Sequence, residues 1–153
     1  MTQVDMILKS AIVLTMDHGY SMFTPGAVAI SENKIIAVGD TGEILETYRA
    51  KNIQDFGQKV IMPGLINAHT HAPMTLLRGL ADDLRLDVWL LGYMMPVERE
   101  FVSPEFVKLG TKLACAEMIR SGVTTFADMY YFEDAIAEAV EETGLIYTTK
   151  LRP

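Results

Sequence analysis

The first sixty residues alternate short apolar runs with clusters of turn-forming residues. Five of these runs are β-prone and are predicted to be strands: 6–8, 11–15, 27–30, 34–38 and 53–56. Ser31-Glu32-Asn33 separates two of them and predicts a hairpin turn. Gly39-Asp40-Thr41-Gly42 interrupts the pattern, and a short helix is predicted to follow at 43–48. Small strands joined by tight turns favour a β-sandwich or part of one.

After residue 60 the pattern changes to strands and helices in alternation. Ile61-Met62-Pro63-Gly64 forms a hinge, because Pro-Gly interrupts regular structure. Three strands and three helices are predicted around and beyond it: strands 65–68, 123–129 and 145–150, and helices 83–101, 103–121 and 133–143. The first helix is expected to be interrupted or to end near Pro96. This β-α-β-α-β order implies a parallel sheet with right-handed crossovers.

Capping residues support these helix limits. Ser103 and Pro104 are typical of an N-cap and a first helical position. Gly122 and Gly144 are typical of the residue that follows a helix. The sequence therefore predicts two parts, a strand-rich part at 1–60 and a strand-helix part at 61–153.

The composition is globular but rich in apolar residues. Half of the 153 residues are apolar and 22% are charged, with a mean hydropathy of +0.20. No apolar run approaches the roughly 20 residues that a membrane-spanning helix needs. We therefore expect no membrane partner, and we expect some apolar faces to contact segments outside this chain.

Charge and cysteine content limit the classes of function. The net charge is −7 and the acidic residues are spread along the chain, so a nucleic-acid partner is not expected. The start of the chain, 1–5, lacks the basic segment and long apolar region of a secretory signal. Cys115 is the only cysteine, and its apolar helical neighbours predict a buried structural thiol rather than a nucleophile. These features predict a cytoplasmic protein.

A pair of histidines, His69 and His71, follows the first predicted strand of the second part. Side chains two residues apart on a strand point to the same side. Both imidazoles can therefore bind one metal ion, with each zinc–nitrogen distance about 2.0–2.1 Å. In α/β barrels the C-terminal ends of the strands carry the active site. Taken alone, the pair is either a metal site or two ordinary polar residues.

The residues around this pair resemble the amidohydrolase superfamily. Segment 60–71 has the superfamily's Pro-Gly turn, first strand and His-x-His. Within the superfamily, the chain resembles 5-methylthioadenosine/S-adenosylhomocysteine deaminases and the related triazine hydrolases. Three segments carry this narrower resemblance: 72–84, Trp89-Leu90 and Pro96-Val97-Glu98. The resemblance covers essentially the whole chain and is densest from 60 to 100.

The resemblance implies a fold and a reaction. Residues 61–153 correspond to about the first three strands of a (β/α)8 barrel, and 1–60 to the N-terminal half of a small β-sandwich. His69 and His71 are implied to bind one divalent metal ion, usually zinc and sometimes iron. The metal activates a water molecule, which attacks the purine carbon bearing the amino group, and ammonia leaves. The implied substrate is a small adenine nucleoside, and the alternative is a triazine or another amino-substituted heterocycle.

The resemblance also implies that two further residues, Glu98 and Trp89, bind the substrate. Glu98 matches a glutamate that accepts hydrogen bonds from ribose hydroxyls, a role that suits a carboxylate with two acceptor oxygens. The alternative is a solvated surface glutamate within Glu98-Arg99-Glu100. Trp89, the only tryptophan, matches an aromatic residue that lines the substrate pocket. Its alternative is a core aromatic side chain on a helix.

Other polar residues have weaker assignments. Arg78 is expected to form a structural ion pair. Asp128, at the end of the second barrel strand, either orients a metal-binding histidine or caps a loop. Tyr130 and Tyr131 follow it and are candidates for the pocket wall. His18 is expected on the surface of a turn.

The rest of the implied site is expected beyond Pro153. The superfamily needs two more histidines, an aspartate and a proton-shuttling glutamate, so no catalytic residue is assigned within 1–153. Lys150-Leu151-Arg152 departs from the usual sequence of the third strand and is assigned no substrate contact. We expect a hydrolase fragment that is inactive and unstable by itself, and the alternative is a truncated, non-catalytic chain. A homo-oligomer is compatible with either.

Overall fold

The structure, a computed structural model, describes residues 1–149. The chain divides into two compact units between Pro63 and Gly64. No helix among the described residues is both long and apolar enough to cross a membrane.

The first unit contains two β-sheets and one helix. Its strands are β1 (Thr2–Ser10), β2 (Ile12–Leu14), β3 (Met22–Phe23), β4 (Gly26–Ser31), β5 (Lys34–Asp40), β6 (Tyr48–Asp55) and β7 (Val60–Ile61), and its helix is α1 (Thr41–Thr47). One sheet has the order β5-β4-β1-β6 and the other has the order β3-β2-β7. In the larger sheet, β1 is antiparallel to β4 and parallel to β6.

The core of this unit forms where β1 and β4 meet α1. The buried cluster consists of Val4, Ile7, Ala27, Ala29 and Ile44. The two alanines on β4 leave room for larger side chains from β1 and α1, so the cluster packs without a large residue on every strand. Burial of these apolar side chains is the main source of stability for the unit.

The sequence predicted the hairpin of this unit correctly. β4 and β5 are antiparallel, and Ser31 pairs with Lys34 across the turn. Glu32 occupies the left-handed region at φ 55°, which a two-residue hairpin turn requires.

Several predicted limits in this unit are wrong. The predicted break at 39–42 contains the change from strand to helix, but β5 continues to Asp40 and α1 begins at Thr41, two residues before the predicted helix at 43–48. β6 begins at Tyr48, five residues before the predicted strand at 53–56. Most of β6 is polar and exposed, so it has little apolar pattern. Its extended conformation comes from pairing with β1, a tertiary effect that overrides local propensity.

The second unit is a parallel sheet with helices between its strands. Its strands are β8 (Leu65–Thr70), β9 (Val123–Asp128) and β10 (Ile146–Thr149), in the order β10-β9-β8. Its helices are α2 (Met95–Phe101), α3 (Pro104–Arg120) and α4 (Glu133–Thr143), with a 3-10 segment at Ala72–Leu77 and a π-helical segment at Val88–Met94. Both strand pairs are parallel, as the strand-helix alternation predicted. Of the predicted strand 145–150, β10 covers Ile146–Thr149, and Lys150 lies outside the described residues.

The longest helix, α3, begins and ends where the capping residues predicted. The Ser103 side chain accepts a hydrogen bond from the Phe106 N–H at 3.2 Å. Gly122, just beyond the helix, has a φ of 81°, which a residue with a side chain rarely adopts. Cys115 on this helix is buried, and burial raises the pKa of its thiol. The prediction of a structural thiol is therefore confirmed.

The core of this unit lies between α3, α4 and the sheet. Its main buried side chains are Val107, Ala114, Cys115, Met118, Phe126, Ile136 and Val140. Phe126 on β9 is fully buried, which places the central strand of the sheet against both helices. The edge strands are more open: Ile66 on β8 is 71% exposed and Ile146 on β10 is 64% exposed. The expectation that such faces contact segments outside this chain remains a prediction.

The helical segment predicted at 83–101 starts later and changes type near its proline. The helix begins at 86, after Asp83 in the left-handed region. Residues Val88–Met94 are π-helical, and the Met95 N–H bonds to the Leu90 carbonyl five residues earlier. The backbone continues in helical conformation from this segment into α2, and Pro96 is the second residue of α2.

Gly110 on α3 generates a stability prediction. A Cβ at this position would lie 2.5 Å from the carbonyl oxygen and 2.8 Å from the Cα of Pro73. Because these are backbone atoms, Gly110→Ala should push the Ala72–Leu77 segment away and lower the free energy of unfolding by about 1–3 kcal/mol. The control is Gly42→Ala on α1, where a Cβ meets open space. Thermal denaturation should show a lower melting temperature for Gly110→Ala alone, and equal melting of both variants would contradict the packing argument.

Candidate metal and substrate site

Two imidazoles lie side by side at the C-terminal end of β8. The structure extends this strand to Thr70, two residues beyond the predicted limit, because Thr70 still pairs with Asp128 on β9. His69 therefore lies on the strand and His71 immediately after it. Their ring centroids are 5.1 Å apart in an edge-on arrangement. His69 is exposed and His71 is half-buried.

The His71 ring is held by a backbone carbonyl. Its Nδ1 lies 2.6 Å from the Met129 carbonyl oxygen. A carbonyl only accepts hydrogen bonds, so Nδ1 carries the proton and Nε2 presents a lone pair. Metal-binding histidines are commonly oriented in this way, with the second ring nitrogen donating to a carbonyl. The chemistry of His71 therefore fits a metal ligand.

Asp128 stabilises the turn that follows His71. Its Oδ2 accepts a hydrogen bond from the Ala72 N–H at 2.9 Å, and its side chain is 3% exposed. Burial raises the pKa of the Asp128 carboxyl, although the N–H groups of Ala72 and Met129 act in the opposite direction. Of the two roles left open for Asp128, the structure shows the contact expected of a loop cap.

A cavity of about 280 Å³ opens beside His71. It is lined by apolar, aromatic and polar side chains, namely His71, Met74, Trp89, Leu90, Met94, Glu98, Met129, Tyr130 and Tyr131. The size is close to that of small-ligand pockets, and the few polar groups on a largely apolar wall are typical of them. The structure thus brings His71, Trp89 and Glu98 to one cavity.

The other histidine faces a different space. His69 lines a neighbouring cavity of about 280 Å³ with Thr148 and Thr149 of β10, and this cavity shares Met129 with the first. The two imidazoles thus line two different cavities. Within residues 1–149, no group of three or more His, Cys, Asp or Glu side chains is placed to hold a metal ion. The described residues supply at most the histidine pair.

Glu98 is connected to the β9–α4 loop. The Tyr130 hydroxyl donates a hydrogen bond to Glu98 Oε1 at 2.7 Å. Burial, with the contact to Glu98 as the second cause, raises the pKa of the Tyr130 phenol. The Tyr130 N–H donates to Glu133 Oε1 at 3.1 Å, and the Tyr147 hydroxyl donates to Glu133 Oε2. A line of hydrogen bonds therefore runs from β10 to α2.

Sequence analysis missed Glu133 and Tyr147. Glu133 stands in the first turn of α4, where a carboxylate is favoured in any helix. The sequence around Glu133 therefore did not indicate its hydrogen bond with the Tyr130 N–H in the β9–α4 loop. Tyr147 lies on β10, and its contact with Glu133 depends on the folding of α4 against the sheet. One feature of the sequence could have indicated the contact between Glu133 and Tyr130: the two residues are only three positions apart, just after the central strand β9.

Two other assignments are settled by the structure. Arg78 forms a two-pronged ion pair with Glu117, at 3.0 Å and 2.7 Å, as predicted. Both side chains are well exposed, so the pair is a modest contribution to stability. His18 is exposed in a turn of the first unit, also as predicted.

The chain is similar to known proteins over most of its length. The profile of the amidohydrolase family matches residues 60–150. A 5-methylthioadenosine/S-adenosylhomocysteine deaminase of Nitratidesulfovibrio vulgaris is 50% identical over 141 residues, which is 92% of this chain and 32% of that protein. A 5'-deoxyadenosine deaminase of Methanosarcina barkeri is 47% identical over 142 residues, again 92% of this chain and 32% of that protein. The chain thus spans about a third of the length of the curated relatives it matches.

Solved structures show the same relationship. An adenosine deaminase from Xanthomonas campestris with bound zinc superimposes with a TM-score of 0.89 at 38% identity, over 95% of this chain and 33% of that chain. A mutant atrazine chlorohydrolase from Arthrobacter aurescens, in complex with zinc and atraton, superimposes with a TM-score of 0.82 at 21% identity, over 95% of this chain and 35% of that chain. At 21% identity, the atrazine chlorohydrolase shows a similarity of fold alone. Both support a mixed α/β architecture for the described residues.

The hydrogen bond from the Ala72 N–H to Asp128 predicts a loss of stability when Asp128 is replaced. Asp128→Ala removes the acceptor for the Ala72 N–H, and Ala72 is itself buried. An unsatisfied buried N–H costs about 1–3 kcal/mol, so the melting temperature should fall. Asp128→Asn keeps an acceptor oxygen and should lose less. Glu141→Ala, at an exposed position near the end of α4, should change little. Equal melting temperatures for Asp128→Ala and Glu141→Ala would contradict the capping role.

Proposed function

The chain belongs to the amidohydrolase family, and we propose that it is the first part of a metal-dependent hydrolase that deaminates a small adenine nucleoside. 5-Methylthioadenosine and S-adenosylhomocysteine are the proposed substrates. The observation that carries the proposal is the single cavity lined by an imidazole at a strand end, an indole and a carboxylate: His71, Trp89 and Glu98. The adenosine-type names of similar proteins support the substrate class.

The proposed architecture is a (β/α)8 barrel with a composite β-sandwich. Residues 61–153 would form about its first three strands, and 1–60 would form the N-terminal part of the sandwich. Three consecutive parallel strands support the first assignment, and two small sheets in the first unit support the second. A closed barrel has no free edges, which would account for the exposed apolar residues on β8 and β10.

His69 and His71 are the proposed metal ligands. The lone pair on His71 Nε2, the adjacent His69 ring and the zinc in two similar solved structures support this assignment. Zinc is the proposed metal, with iron as the alternative. When bound, such an ion lowers the pKa of a water molecule to about 7 and makes it a nucleophile at neutral pH. Catalytic zinc usually has three protein ligands, so we propose that the 153-residue chain alone does not catalyse.

The residues of this chain would bind and orient the nucleoside. Trp89 would offer a flat face to the purine, and Glu98 would accept hydrogen bonds from the ribose hydroxyls. The apolar wall of Met74, Leu90 and Met94 would exclude water from the base. We propose a cytoplasmic enzyme whose partner is this small molecule.

A second candidate is hydrolysis of a triazine or another amino-substituted heterocycle. The fold similarity to atrazine chlorohydrolase favours it. A triazine has no vicinal hydroxyl pair, so Glu98 would lack the paired hydroxyl donors of a ribose in that reaction. The contribution of Glu98 to binding therefore separates the two candidates. A third alternative, a truncated chain without catalysis, predicts no activity with either substrate class.

The metal assignment is tested by removing each histidine in the complete enzyme. His69→Ala and His71→Ala should each lose bound zinc and deaminase activity together, because each removes one ligand from the site. His18→Ala, at an exposed turn, should keep both. Metal content by inductively coupled plasma mass spectrometry and ammonia release are measured on the same samples. Stoichiometric zinc in both site variants would reject the assignment.

The role of Glu98 is tested by comparing a nucleoside with its free base. Glu98→Ala should weaken recognition of the nucleoside by about ten- to a hundredfold in kcat/KM, corresponding to about 1.5–3 kcal/mol for hydrogen bonds to a charged group. Recognition of the base should change little. Glu100→Ala, at an exposed position on the same helix, is the matched control. An equal loss for nucleoside and base would contradict a ribose contact.

A further inference from the structure

We propose that Tyr130 is a positioning residue for Glu98 and thereby a determinant of ribonucleoside specificity. The Tyr130 hydroxyl would hold one carboxylate oxygen of Glu98 and leave the other free for the sugar. The inference rests on the proposed function, since it assumes that Glu98 binds ribose.

The contact joins two separate segments of the second unit. Tyr130 follows β9, Glu98 lies on α2, and the hydroxyl–Oε1 distance is 2.7 Å. A hydrogen bond to a carboxylate is stronger than one between neutral groups. Both side chains are partly buried, which strengthens the bond further. Within residues 1–149, Glu98 Oε2 has no protein donor, so this oxygen is available to a ligand.

Tyr130 can position Glu98 because it is itself held in place. Its N–H donates to Glu133, whose other oxygen accepts the Tyr147 hydroxyl. Its ring centroid lies 6.1 Å from that of His71. A phenol is protonated at neutral pH, so the Tyr130 hydroxyl is the donor in its bond to Glu98. A side chain supported in this way can fix the rotamer of a flexible glutamate before the substrate arrives.

Tyr130 shares one cavity with both proposed ligands. His71, the proposed metal ligand, and Glu98, the proposed sugar ligand, line this cavity together with Tyr130, and the Tyr130 hydroxyl contacts the glutamate directly. The glutamate would contact the sugar rather than the reacting carbon. Loss of its positioning should therefore raise KM for a ribonucleoside more than it lowers kcat. A structural defect at the reacting centre would lower kcat for every substrate.

The kinetic test uses Tyr130→Phe in the metal-loaded complete enzyme. KM for an adenine ribonucleoside should rise roughly three- to tenfold, as for loss of one hydrogen bond. KM for the matching 2′,3′-dideoxynucleoside, which lacks the hydroxyl pair, should stay unchanged, and so should kcat for both. In a Glu98→Ala background, Tyr130→Phe should add no further loss, because coupled residues are not additive. Tyr93→Phe, at an exposed position outside the residues that line the cavity, is the matched control.

A second measurement needs no substrate. Tyrosine labelled with ¹³C at Cζ reports hydrogen bonding of the phenol by NMR, and the Tyr130 resonance is assigned by its loss in Tyr130→Phe. This resonance should shift in Glu98→Ala and stay in place in Glu100→Ala. An unmoved resonance in Glu98→Ala would overturn the positioning role.

The outcomes separate this inference from the proposed function. If Glu98→Ala leaves the preference for the ribonucleoside over the dideoxynucleoside intact, the sugar contact is wrong and both proposals fail. If Glu98→Ala removes that preference but Tyr130→Phe does not reduce it, the inference alone fails. A general loss of kcat in Tyr130→Phe for both nucleosides would also overturn it, since that result indicates a structural role.

Discussion

At the C-terminal end of the parallel sheet, Thr70 on β8 lies opposite Asp128 on β9. This register brings the turn after β8 against the turn after β9. Three contacts of the candidate site depend on it: His71 to the Met129 carbonyl, the Ala72 N–H to Asp128, and the Met129 N–H to the Thr70 carbonyl. The register of β8 against β9 shifts between Asn67 and Thr70, so the pairing of Thr70 with Asp128 is set locally. A further shift by one residue would reverse the side of the sheet that each side chain faces. Strand register is therefore the constraint from which the arrangement of the site follows.

Sequence analysis succeeded where local signals decide the structure. Ser103 and Gly122 gave both ends of α3 correctly, because capping is a property of a few neighbouring residues. The parallel sheet followed from the alternation of strands and helices. The histidine pair and Glu98 were identified through a family resemblance, since a His-x-His and one charged cluster are weak signals alone. The structure places His71 and Glu98 at one cavity.

The features that were missed depend on contacts distant in sequence. β6 is mostly polar and becomes a strand through β1. The bond between Tyr130 and Glu98 spans 32 residues, and no periodicity links a loop tyrosine to one glutamate on a helix. The π-helical segment at Val88–Met94 has no local sequence signal that separates it from an α-helix. Polar contacts and helix type of this kind are decided by packing, after local preferences have selected the elements.

The central claim is that the end of β8 binds metal and the wall toward α2 binds the sugar of an adenine nucleoside. The most direct test is a crystal structure of the complete enzyme with zinc and a non-hydrolysable adenosine analogue, recorded with anomalous data at the zinc edge. We expect an anomalous peak about 2.0–2.1 Å from a ring nitrogen of both His69 and His71. We also expect the ribose hydroxyls to contact Glu98 Oε2. A zinc peak away from both histidines, or a sugar that does not touch Glu98, would contradict this claim.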